Sequence, residues 1–369
     1  MIRPAKYTDF KAIKEIFSLV FAQEYKQKGF DVLDEVDKWQ KLYPVIKVLA
    51  AFQNTYKHLL DIHVFEDEDK KIIGLIQTSS RSRDQSRWHI ENLVVLPDKR
   101  GKGVAKDLLE YIFEKYMNKN VNRFTIDVDT KNISAIKLFE LLGFRKYTTI
   151  HYFNVSTKKI NKLKKENITI PEGFRPFKSS DAKGLFDLYV ASTPSSIRIV
   201  EQKELEDFQI SSIQQVSQYF KEYTKKSNHI HCVVEKDTNI IASLEIIEKD
   251  KDLPNIIRLL VHPGYEDLNE QLLEYAFKKI SEFQSVTSVL AASDHQKNKI
   301  ATFKRMKLPE IFSDFMMIKD NFQIVNFKEK PSELKLELNG LKPFFNKMQT
   351  NDKDNVFMNE NFEKSISIK

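Results

Sequence analysis

Cysteine occurs once in the 369 residues, as Cys232, so no internal disulfide can form. That usage suits a reducing compartment, and a lone thiol beside His231 reads as a small buried hydrophobe rather than a nucleophile. No stretch approaches the roughly 18 consecutive apolar residues of a membrane span, which excludes a transmembrane helix. The 8 histidines are dispersed without zinc spacing, so no metal site is expected. One charge sign barely exceeds the other: 59 Lys and Arg against 52 Asp and Glu leave a net +7. Spread over the chain, that excess favours anionic ligands weakly and does not make a nucleic-acid track. Met1 to Asp9 contain no apolar signal core and read as the start of a fold, so the expected location is cytoplasmic. Glycine is also scarce, with 9 in all, so two glycines close together mark backbone under special demand.

What is present is a repeat. Ile2-Arg-Pro-Ala-Lys-Tyr-Thr-Asp9 resembles Phe174-Arg-Pro-Phe-Lys-Ser-Ser-Asp181, each with its Asp where a helix N-cap would fall. Ile62-His-Val-Phe65 and Ile72-Ile-Gly-Leu-Ile76 match Ile230-His-Cys-Val233 and Ile240-Ile-Ala-Ser-Leu244 as hairpins. Leu93-Val-Val-Leu-Pro97 then matches Leu259-Leu-Val-His-Pro263, and Leu108-Leu-Glu-Tyr111 matches Leu272-Leu-Glu-Tyr275. The order is kept while the offset falls from 172 to 164, as small loop deletions produce. His63 and His231, in matching strands, read as sharing a packing role.

The expected organisation is residues 1–155, a lysine-rich linker 156–167, a second copy 168–320 and a tail 321–369. The tail reads either as a frayed terminus or as a cap. Period-2 and period-3.6 patterns alternate in each copy, giving an α/β (α+β) class: a mixed, centrally parallel sheet flanked by helices. The aromatic-rich insert 21–60, with Tyr25, Phe30, Trp39, Tyr43 and Phe52, reads as a substrate lid or as helix core.

The chemistry concentrates in Val95-Leu-Pro-Asp-Lys-Arg100-Gly101-Lys102-Gly103-Val104-Ala105, between a strand and a helix. Two glycines allow a tight turn and close backbone approach. Unpaired amides at the helix start, with the positive end of its dipole, make an anion site. Arg100 and Lys102 add charge suited to phosphate. The spacing is neither a P-loop nor a dinucleotide fingerprint.

This segment resembles motif A of the Gcn5-related N-acetyltransferases (the GNAT family), V-x-P-x-x-R-G-x-G-x-A, at every fixed position. Asn132-Ile-Ser-Ala135, Leu138-Phe139 and Gly143-Phe144 resemble the family's following motif. The resemblance spans residues 1–155. It implies acetyl-CoA, or another acyl-CoA, as donor. The pyrophosphate would lie on the amides of Arg100, Gly101, Lys102, Gly103, Val104 and Ala105. The pantetheine arm would run along Leu93, Val94 and Val95, with Asn132 and Phe139 also at the cofactor. The acceptor would be a small-molecule amine attacking the thioester directly.

His89 and Glu91, two apart on the preceding strand, share a face and are the candidate bases. His89 reads equally as a bonded strand histidine, and Glu91 as a binder of the substrate cation. Phe139 stands where many family members carry a proton-donating Tyr, which leaves Tyr147, Tyr152 or water for that task. The second copy lacks the Arg-Gly-Lys-Gly core, is two residues shorter there, and carries Glu266 and Asp267, so it should not hold a pyrophosphate. Lys307 also replaces the glycine of Gly-Phe. The expected protein is an N-acyltransferase active in its first half, with no membrane or nucleic-acid partner and a homodimer among the states allowed. A CoA-binding sensor or scaffold and an aminoacyl-tRNA-dependent transferase are the alternatives.

Overall fold

The computed structural model describes residues 1–20, 61–82, 85–117, 121–163, 168–209, 229–249, 253–283 and 287–321, with 33, 36–41, 43 and 119. The first copy runs β1 (Ile2–Pro4), α1 (Phe10–Val20), β2 (Asp61–Glu66), β3 (Ile72–Ser80), β4 (Arg87–Val95), α2 (Val104–Met117), β5 (Arg123–Asp129), α3 (Ile133–Leu141) and β6 (Arg145–Val155). After α4 (Thr157–Leu163) the second gives β7 (Phe174–Pro176), α5 (Ala182–Ser192), α6 (Ser195–Glu201), β8 (His229–Lys236), β9 (Asn239–Ile247), β10 (Asn255–Val261), α7 (Leu268–Ile280), β11 (Ser288–Ser293), α8 (Lys297–Arg305) and β12 (Glu310–Asp320). Both halves are mixed sheets flanked by helices, with one parallel pair each, β4–β5 and β10–β11.

The repeat extends to single ion pairs. Arg3 holds Asp9 at 2.6 Å and Glu66 at 2.5 Å, and Arg175 holds Asp181 and Glu235, each at 2.7 Å. Each Asp also accepts from a backbone amide, Lys6 or Lys178, at 2.7 Å. The carboxylate therefore belongs to a short 3-10 turn and its Arg clamp rather than capping the long helix.

The halves form a single sheet of 12 strands, ordered β1-β2-β3-β4-β5-β12-β6-β11-β10-β9-β8-β7. Their last strands are exchanged. β12 lies between β5 and β6, and β6 pairs with β11, all antiparallel. The cores follow: Met317 of β12 is buried with Leu108, Ile112, Phe124 and Phe139, while Phe153 and Val155 of β6 are buried with Leu272, Phe277 and Phe303. The break in the repeat at residues 156–167 is thus not a break in the sheet. Its first part is the helix α4, whose Ile160 is buried in the second half's core.

The opposite sheet face carries α1, with Phe10, Ile13 and Phe17 on Val64, Leu75 and Val94. Within the insert, Trp39 lies edge-on to Phe17 at 5.9 Å, and the Tyr43 hydroxyl donates to Ala5 O at 2.9 Å. Both are core side chains. Tyr25, Phe30 and Phe52, and the tail from 322, lie outside the described residues.

The two histidines do not match in register. Pro4 pairs with His63 and Pro176 with Cys232, so Cys232 is the equivalent of His63. His63 accordingly faces Tyr111 of α2, with Lys115 Nζ 3.2 Å from its Nε2. His231 faces the other side, stacked on Phe177 at 4.2 Å. Among the described residues no helix is long and apolar enough to cross a membrane.

Candidate functional site

β4 leads into the site through a bulge. Gln77 pairs with Asn92 and Thr78 with Ile90, leaving Glu91 as the extra residue. Before it, Trp88 and Ile90 face α2; after it, Val95 does, and Val94 faces α1. The bulge also parts the parallel strands, since β4 pairs with β5 only from Arg87 to Ile90. Leu96 N donates to Ile73 O at 2.9 Å. By alternation the peptide groups of Val94 turn to β3, while those of Leu93 and Val95 turn into the fork. The Val95 carbonyl accepts from Arg100 Nε at 3.2 Å, and Leu93 keeps an open edge.

Beyond the fork the chain takes one 3-10 turn, Pro97–Lys99, and enters the glycine pair. Gly101 has φ +74° and Gly103 φ +84°, a left-handed conformation that only glycine adopts without strain. The loop closes onto α2 through Asp107 N to Gly103 O at 2.9 Å. Among the described residues nothing accepts from the amides of Gly101 to Ala105. Arg100, Gly101, Lys102 and Gly103 are exposed, so donors and charges meet on one accessible surface.

Asn132 is the N-cap of α3, its Oδ1 accepting from Ala135 N at 3.2 Å. Phe139 is buried edge-on to Phe144 at 5.3 Å. The structure thus brings together Leu93 and Val95 with Arg100 to Ala105. Val94 and Phe139 are buried in the cores, while Asn132 is exposed and uses its Oδ1 at the helix start.

His89 and Glu91 do share a face, because Ser79, paired across from His89, donates to Glu91. Arg81 Nη2 also donates to Glu91 Oε1 at 2.7 Å, so both donors meet on one carboxylate oxygen. His89 is buried, with Nδ1 2.8 Å from Thr125 Oγ1 and Nε2 3.9 Å from Asp127 Oδ1. Desolvation lowers its pKa below the ordinary 6.5, against the pull of Asp127 and Glu91. It stands one residue before the fork's last pair, Ile90 with Ile126.

The second half adds groups that the repeat pattern does not reveal. Arg87 donates to Glu201 O, and Arg123 Nη1 donates to Ile199 O at 2.7 Å, tying the C-terminal carbonyls of α6 to the starts of β4 and β5. Tyr189 donates to Glu201 at 2.9 Å. Tyr147 is pushed up by burial, then by Glu201 and Asp127; Tyr152 by burial, then by Asp314 of the exchanged strand. Both phenols are therefore held protonated. Asp127 was findable, as the residue two beyond Thr125 on a strand facing His89. Glu201 and Asp314 arrive only through tertiary structure. Among the described residues no cluster of three or more metal-ligating side chains occurs.

A sequence model of the acetyltransferase (GNAT) family matches residues 10–144. Streptothricin acetyltransferase of Escherichia coli is 30% identical over 76 residues, covering 21% of this chain and 42% of that protein. An N-acetyltransferase 9-like protein of Nematostella vectensis is 32% identical over 81 residues, 22% of this chain and 41% of its own. The chain thus spans about two-fifths of the length of the curated relatives it matches. A tandem GNAT protein from the clavulanic acid biosynthesis pathway superposes with TM-score 0.56 at 11% identity, over 88% of this chain and 99% of that one. The GCN5-related N-acetyltransferase of Sphaerobacter thermophilus gives 0.55 at 14%, over 89% and 98%. At such identities the likeness is one of fold.

Proposed function

We propose, from the premise that residues 10–144 are a domain of the GNAT acetyltransferase family, that the first half moves an acetyl group from acetyl-CoA to a small primary amine. One observation carries this reading: an open strand edge at Leu93 leads to a row of amides, Gly101 to Ala105, that have no partner among the described residues. The edge suits an extended amide-bearing arm, and the amides with Arg100 and Lys102 suit its pyrophosphate. Arg100 ties the two parts together by bonding the strand end.

The acceptor arrives as an ammonium and must lose a proton before it attacks. His89, neutral near pH 7 because burial lowers its pKa, takes that proton, and Asp127 beside Nε2 steadies the imidazolium. The nitrogen lone pair then forms the amide bond to the acetyl carbon as the carbon–sulfur bond breaks, and the acylated nitrogen gives its second proton to solvent. Sulfur leaves with the bonding pair. A thiolate of pKa about 8.5 departs without an acid, and solvent returns its proton. Phe139 has none to give, and Tyr147 and Tyr152 are poor donors. Glu91, held by Ser79 and Arg81, contributes charge at the rim. The carboxylates of Glu91, Asp127 and Glu201 around this face favour a cationic acceptor.

The test is acetyl-CoA-dependent thiol release across a panel of primary amines: amino sugars, polyamines and streptothricin, the last suggested by a relative's name. Release with at least one amine, absent in Arg100→Glu, is the expected result. Tight acetyl-CoA binding without release from any amine would establish the binding-only alternative instead.

A further inference from the structure

The second half has the same fork, and a side chain lies in it. β10 pairs with β11 only from Asn255 to Ile257, so these strands part as β4 and β5 do. His262 N donates to Ile241 O at 2.9 Å. Alternation back along β10 turns Leu260 and Arg258 toward β9 and turns Leu259, the equivalent of Leu93, into the fork. Its carbonyl is taken: Lys299 Nζ donates to Leu259 O at 2.7 Å and to Gln296 Oε1 at 3.3 Å.

Lys299 stands at a telling position. Gln296 is the N-cap of α8 as Asn132 is of α3, so Lys299 matches Ala135, the alanine of Asn-x-x-Ala. A methyl leaves the first fork open, and a four-carbon stem with an ammonium fills the second. We propose that Lys299 occupies the second half's fork in place of a pantetheine arm, making it a closed site for a primary ammonium on an unbranched chain. That the slot once took pantetheine rests on the function proposed above; the alkylammonium occupancy does not.

The energetics support the assignment. Lys299 is partly buried, and desolvation pushes its ammonium down to about 8. A chain keeps such a cost where the alternative is worse, here a buried carbonyl without a donor. The neighbouring His295 shows the local shortage of partners, since neither ring nitrogen finds one among the described residues. The loop after this fork carries Glu266 and Asp267, whose charge opposes a pyrophosphate there.

The fragment that Lys299→Ala deletes is n-propylamine, which makes rescue possible. Melting is measured for the full chain and the variant at pH 7, in propylammonium chloride and in equal sodium chloride. The variant should melt a few degrees lower, and propylammonium should restore about half of that loss while moving the parent by about 1 °C at most. Lys299→Met, which keeps the stem and removes the donor, should melt low and show no rescue. Should Lys299→Ala not fold, carbon-13 NMR on ε-labelled lysine decides: the parent shows one lysine titrating near 8, absent in Lys299→Met. Parent and variants melting together, equal responses to propylammonium, or no lysine below the ordinary value of about 10.4 overturns the proposal. A chain that passes these tests yet binds no acetyl-CoA refutes the transferase reading alone.

Discussion

Two loops at equivalent places, Val95 to Val104 and Val261 to Leu268, show how one scaffold keeps or discards an anion site. Both follow a forked strand through a short 3-10 turn into a long helix. The first has two extra residues, two left-handed glycines and free amides facing solvent with Arg100 and Lys102. The second spends its groups internally: His262 Nδ1 accepts from Gly264 N at 3.1 Å, and Glu266 O accepts from Asn269 at 2.8 Å. Its glycine is not left-handed, and the helix start is flanked by Glu266 and Asp267. What separates a phosphate cradle from a plain turn is thus whether the backbone donors are left over. The sign of the nearby charge then reinforces the result.

The comparison breaks most readily at Arg100. Arg100→Glu gives the first loop the charge of the second and should weaken acetyl-CoA binding by about 30- to 100-fold, or 2–3 kcal/mol, by calorimetry. The parent should bind one acetyl-CoA per chain, and Glu266→Arg should add no second site. Two sites in the parent would undo the asymmetry.

A second difference lies on the strand before the loop, where the bulge at Glu91 sets His89 against Ile256. His89→Gln should lower kcat/KM by about 10²- to 10⁴-fold with KM for acetyl-CoA little changed. The unprotonated imidazole is the active form, so the parent's rate should fall as pH drops through a pKa below 6.5, and the variant should lack that limb. An unchanged acid limb would remove His89 from the chemistry.

The smallest effect concerns the turn after the short helix. Gly143 has φ +86°, and Lys307, its equivalent, holds φ +55° despite its side chain. Lys307→Gly should therefore stabilise by about 0.5–1 kcal/mol in denaturant unfolding. Gly143→Ala should destabilise by at least as much, since its Cβ would come within 3.2 Å of Lys319 Nζ. Destabilisation by Lys307→Gly would mean that the lysine side chain has contacts outweighing its backbone strain.

The loop and the repeat were legible because each is written in local residues: glycines in pairs, an Arg-Pro opening, hairpins of similar length. The register of β2 against β8 was not, because Ile-His in both strands aligned the letters one position away from the pairing. The bulge at Glu91 has no signature, as no glycine or proline marks it. The strand exchange is also silent. Arg145–Val155 and Glu310–Asp320 are both 11 residues long and each carries buried apolar groups along its length, so either can complete either sheet. Nothing local tells a strand which neighbour to take. Asp314 and Glu201 escaped notice for the same reason.

That exchange also governs when the molecule can become itself. Until Glu310–Asp320 has been synthesised, the first half, which carries the candidate chemistry, lacks the strand that lies beside β5 in the complete chain and that Arg123 and Asp320 pin in place at 2.9 Å. Contacts spanning nearly 200 residues must close before either core is sealed, a slow, non-local step. The duplicated copy is retained, on this view, because it finishes the first one.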